Sequence, residues 1–79
     1  MSLLLPTRKR ATLLASARVS IHGAEFVDVE FVLEDEPETR RAARLGSMDV
    51  EGPLEAGCRV LVQFVMGVAT SVKRADPKP

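Results

Sequence analysis

The chain has 79 residues, 11 basic against 11 acidic side chains, one cysteine and one histidine. That length allows a single domain over residues 1–79, burying about 60–65% of its unfolded surface, while the lone Cys58 excludes an intramolecular disulfide and the lone His22 has no cysteine near it for a zinc-binding set. The even charge balance removes the footprint of a general nucleic-acid binder, though not a local basic patch, and no apolar run reaches the roughly 20 residues that span a bilayer. The opening Met1-Ser2-Leu3-Leu4-Leu5 is too short for a signal-peptide core and has its basic cluster after it, so the expected location is cytoplasmic, with no membrane partner. A core this small, with neither disulfide nor metal, gains most from a second subunit.

Residues 1–9 read as a flexible end. Pro6 breaks any helix or central strand there, and Thr7-Arg8-Lys9-Arg10 reads as a solvated lead into a strand. From Ala11 to Asp35 the apolar residues alternate: Ala11, Leu13, Ala15, Ala17, Val19 and Ile21, then Val27, Val29, Phe31 and Leu33. A period of two marks half-buried strands, here a hairpin around Gly23. If all odd residues face the core, a turn centred on Gly23 sets Val19 opposite Val27, Ala17 opposite Val29, Ala15 opposite Phe31 and Leu13 opposite Leu33. The outer face then pairs Arg18 with Asp28 and Leu14 with Val32. A two-residue Gly23-Ala24 turn would pair odd with even and turn one apolar face outward, so it is rejected.

Residues 35–46, DEPETRRAARLG, carry the local signals of a short helix over 37–45. Pro37 suits a first turn, Glu38 lies toward the positive end of the dipole, Arg40, Arg41 and Arg44 toward the negative end, and Gly46 terminates it. A long charged hairpin loop is the alternative. Met48 and Val50 suggest a short strand ended by Gly52-Pro53, and Leu54 is expected to plug one end of the core. Val60, Val62, Phe64 and Met66 alternate again, followed by Val68, Thr70 and Val72. A three-residue loop Val65-Met66-Gly67 would pair Phe64 with Val68, Val62 with Thr70 and Val60 with Val72. Residues 75–79 read as a second flexible end. The expected fold is β-rich with a minor α component: about five antiparallel strands, as a small barrel or curved sheet, and one short helix.

No catalytic set assembles. His22 lies in a turn, Cys58 opens a strand with only Arg59 beside it, and serine elbows, phosphate loops and paired metal-binding histidines are missing from the sequence. The acidic run Glu34, Asp35, Glu36, Glu38 lacks the spacing of a calcium loop. The chain is therefore expected to be no enzyme and to take no cofactor or metal. What remains are apolar residues on outward positions: Leu14, Phe26, Val32, Leu61 and Val65. A contiguous set of this kind marks an interface, unless the helix or the N-terminal leucines cover it. The leading expectation is an interaction module, a homodimer or the binder of a protein or small ligand, that works through this sheet face. The alternative is a small nucleic-acid-binding barrel using Arg8, Lys9, Arg10, Arg40, Arg41 and Arg44 for phosphate contacts. It lacks the stacking aromatics that single-strand binders add.

Overall fold

A computed structural model describes residues 5–75. Its elements are β1 (Thr7–Ile21), β2 (Ala24–Leu33), β3 (Glu36–Gly46), a 3-10 turn (Ser47–Asp49), β4 (Val50–Glu51), β5 (Arg59–Val65) and β6 (Val68–Arg74). They form one six-stranded sheet in the order β3-β2-β1-β5-β6-β4, curled into a half-barrel. All ladders are antiparallel except β4–β6, which is parallel. Of the ends expected to be flexible, Thr7 to Lys9 begin β1, while residues 1–4 and 76–79 lie outside the described residues.

The core fills the inside of the curl. Ala11 and Leu13 of β1, Val27, Val29, Phe31 and Leu33 of β2, Val60 and Val62 of β5, and Val72 of β6 are buried there, as the alternation predicts. Leu45 of β3 and Cys58 join them, and Leu54 packs against them as a plug. The rings of Phe31 and Phe64 meet at 6.4 Å with an interplanar angle of 57°, a tilted arrangement that aromatic pairs favour. Fully burying a side chain such as Leu13 or Phe31 contributes about 1.5–3 kcal/mol.

The first hairpin departs from the expected register. Its turn is the two-residue His22-Gly23, with both φ angles positive at 51° and 81°. A two-residue turn with both residues at positive φ matches the right-handed twist of the strands it joins. Ile21 then faces Ala24, Val19 faces Phe26 and Ala17 faces Asp28. Odd therefore pairs with even, and a bulge at Leu14 adds the residue that restores Leu13 opposite Phe31 and Ala11 opposite Leu33. Consequently Ala15, Ala17, Val19 and Ile21 share the outer face with Glu30, Asp28, Phe26 and Ala24. Arg18 lies opposite Val27, not Asp28, and Val32 lies opposite Thr12, not Leu14.

The second hairpin uses the same device. Met66 and Gly67 form its turn at φ 53° and 80°, setting Val65 opposite Val68 and Phe64 opposite Ala69. A register shift at Thr70 then sets Val62 opposite Val72 and Val60 opposite Arg74, where Thr70 and Val72 were expected.

The helix expected over 37–45 is instead β3, paired with β2 from Phe26–Gly46 to Val32–Arg40. A nine-residue helix gains little by itself. As a strand, the same segment completes the second ladder of β2 and turns Leu45 and Ala43 inward beside Val27 and Val29. It also brings Arg44 to Asp28 and Arg40 to Glu30. Packing and ladder bonds outweigh propensity. Nor is 35–46 a long loop: Glu34-Asp35 make a tight turn, and the irregular stretch between Glu36 and Arg40 accommodates Pro37, which has no N–H to donate. Met48 lies in the 3-10 turn and is exposed, so only Val50–Glu51 of that segment is strand.

Candidate interaction surface

The outer face of β1, β2 and β3 is assembled by the His22-Gly23 turn and the Leu14 bulge together. Ala15, Ala17, Val19 and Ile21 stand beside Phe26, Asp28 and Glu30 of β2, which in turn stand beside Gly46, Arg44 and Ala42 of β3. The small side chains leave a shallow trough of about 520 Å³ over Ala15, Ala17 and Ala42, walled by Asp28, Glu30 and Arg44. Beyond it, toward the hairpin tip, the face is purely apolar, with Val19 and Phe26 half-buried.

One ion pair dominates this face. Arg44 Nε and Nη2 donate to Asp28 Oδ1 and Oδ2 at 2.6 and 2.9 Å, a bidentate fork. The hydrogen bond from Arg44, with its charge adding to the effect, holds the Asp28 carboxyl below its ordinary pKa, and partial desolvation opposes this. The same contact raises Arg44 further. Arg40 reaches Glu30 at 3.8 Å on the same face.

Of the five residues expected to form the interface, all are half-buried, but they do not form one patch. Phe26 and Val32 lie on the outer face of β2, with Phe26 beside Val19 and Val32 between Thr12 and Arg40. Leu61 lies on β5 between Arg10 and Lys73, and Val65 faces Val68 at the end of the second hairpin. β1 separates the two groups, so they stand about 10 Å apart across the sheet. Leu14 is the extra residue of the bulge. The residues missed are Ala15, Ala17, Val19 and Ile21, which share the core residues' odd numbering. The one local signal for them is His22-Gly23, since a residue followed by glycine favours a two-residue hairpin turn.

The arginine clusters are also divided. Arg8 and Arg10 lie on the outer face opposite Gln63 and Leu61, with Arg8 Nε donating to Gln63 Oε1 at 3.3 Å. Lys9 lies on the inner side, 3.5 Å from Asp35. Arg40 and Arg44 are outward, whereas Arg41 turns inward over the Phe64 ring and bonds Glu36. The acidic run is drawn into separate ion pairs: Glu34 with Arg59, Asp35 with Lys9, Glu36 with Arg41. Among the described residues, no three His, Cys, Asp or Glu side chains gather as a metal site. His22 is exposed at a hairpin tip, and Cys58 is buried where the chain enters β5.

No described helix is long and apolar enough to cross a membrane. Comparison with known proteins gives no family model, no curated relative and no solved structure that matches this chain.

Proposed function

We propose that this protein is a non-catalytic interaction module that self-associates through the outer face of β1, β2 and β3. The observation that carries this reading is the apolar row Ala15, Ala17, Val19 and Ile21 with Phe26, which no described element covers. The segment that could have covered it as a helix is instead β3, in the plane of the sheet. A second copy suits the face for two reasons. Its alanines allow another sheet to approach to the ordinary spacing of about 10 Å. It also carries both signs of charge, Asp28 and Glu30 beside Arg44 and Arg40, so a two-fold partner can offer each group its opposite. A small domain gains the most from burying such a face.

Light scattering at rising protein concentration tests the proposal. A dimer is expected for the parent chain, and monomers for Ala17→Arg and Val19→Glu, whose side chains lie on the open face and leave the core untouched. A parent chain that stays monomeric at high concentration overturns it. The nucleic-acid alternative has less behind it, because Lys9, Arg40, Arg41 and Arg44 are engaged by carboxylates and the clusters lie on two faces. Salt-sensitive binding of a single-stranded oligonucleotide, lost in Arg8→Gln and Arg10→Gln, would revive it.

A further inference from the structure

Ion pairs take up most of the charge among the described residues, Lys9, Arg41 and Arg44 included. Apart from Glu38, the charged side chains that enter no ion pair there are Arg8, Arg10, Asp49, Glu51 and Lys73. These five gather in one place. Arg8, Asp49, Glu51 and Lys73 line a recess of about 410 Å³ over the outer face of β5 and β6. Arg10 stands beside it, opposite Leu61.

The strand order lays the charges out by sign. β1, β5, β6 and β4 are successive strands, so Arg8 and Arg10 stand three strand spacings, about 14 Å at the backbone, from Glu51. β1 thus supplies a cationic wall, and Asp49 with Glu51 supplies an anionic one. Lys73 neighbours Glu51 in the β4–β6 ladder without forming an ion pair. Walls of opposite sign this far apart do not neutralise each other, but a molecule carrying both charges bridges them.

Arg8 is also held in place. Thr70 Oγ1 donates to the Gln63 carbonyl at 3.2 Å and accepts from Gln63 Nε2 at 3.4 Å, while Gln63 Oε1 accepts from Arg8 Nε at 3.3 Å. This chain anchors the guanidinium by its Nε and leaves both Nη groups without an acceptor among the described residues. A pair of planar N–H donors of this kind matches a carboxylate.

We infer that the recess binds the zwitterion of an α-amino acid with an apolar side chain. Its carboxylate meets the Nη groups of Arg8, its ammonium meets Asp49 and Glu51, and its side chain lies along Met48 and Leu61. Met48 is 93% exposed without a ligand, so covering it adds to binding. The volume is within the range of small-molecule sites. The recess lies on the other half of the sheet from the face proposed for self-association and does not depend on it.

The test titrates L-leucine into the intact chain and follows amide chemical shifts and heat. Saturable shifts are expected at Met48, Gln63, Ser71 and Lys73. N-acetyl-leucine, which lacks the ammonium, and leucinamide, which lacks the carboxylate, should each bind at least tenfold more weakly. Arg8→Gln and Glu51→Gln should weaken leucine by a similar factor. No saturable binding of leucine, equal binding of either blocked form, or shifts centred on Ala15, Ala17 and Ala42 would overturn the inference. The blocked ligands need no variant, so a misfolded mutant does not blunt the test.

Discussion

Asp28 and Arg44 meet across the β2–β3 ladder on the open side of the sheet, each about half exposed. Solvent screens such a pair, and its worth lies more in holding β3 in register than in raw stability. Its pH dependence has a definite sign. The folded carboxyl titrates below the ordinary aspartate value of 3.8, because Arg44 donates to its charged form. The stabilisation is therefore fully present above that ordinary value and is lost as the pH falls through the lower folded one. Arg44 stays charged throughout. In urea unfolding, the parent chain should exceed Asp28→Asn at pH 7, and the two midpoints should converge in strong acid. A gap that persists at the acid end would mean that the carboxylate's charge is not what Arg44 reads.

At the scale of elements, the alternation of Ala11–Leu33 and Arg59–Val72 made both hairpins legible, because period two is a property of consecutive residues. The register was not legible. A loop of two residues and a loop of three differ by one position, and a bulge elsewhere in the strand can absorb the difference. Met66 shows what the tight turn demands, since its φ of 53° is a conformation that L residues adopt at a cost. Its side chain is 68% exposed, so little packing is at stake. Met66→Asn should therefore stabilise the fold by about 0.5–1 kcal/mol, asparagine being tolerant of this region. Gly23→Ala should cost about 1 kcal/mol through backbone strain alone, since its φ is 81° and nothing lies within 4 Å of an added Cβ. Thermal denaturation reads both shifts. Similar melting temperatures for all three proteins would show that these turns are less constrained than their geometry implies. The segment over 37–45 was misread for a different reason. Its caps and charges are local facts, while the bare edge of β2 that it pairs with is not encoded within those residues.

For the whole molecule, one half-barrel must hold a core of Phe31, Leu13, Leu33 and four fully buried valines. Its ion pairs lie on the surface and contribute little each. If the outer face closes on a second copy, folding and association are linked, and the melting temperature should rise with protein concentration. The rise should disappear in Val19→Glu. A melting temperature independent of concentration in the parent chain would separate the fold from any dimer.

The sequence by itself determined a small β-rich domain with two hairpins. It also determined the inner residues Leu13, Val27, Val29, Phe31, Leu33, Val60 and Val62, because alternation and burial follow from neighbours along the chain. Only the tertiary structure decided that Ala15 to Ile21 turn outward and that 37–45 is a strand. Each of these depends on a turn of matching twist, on a compensating bulge, or on a free edge supplied by a distant strand. Those are choices among near-equal local conformations, and long-range packing selects between them.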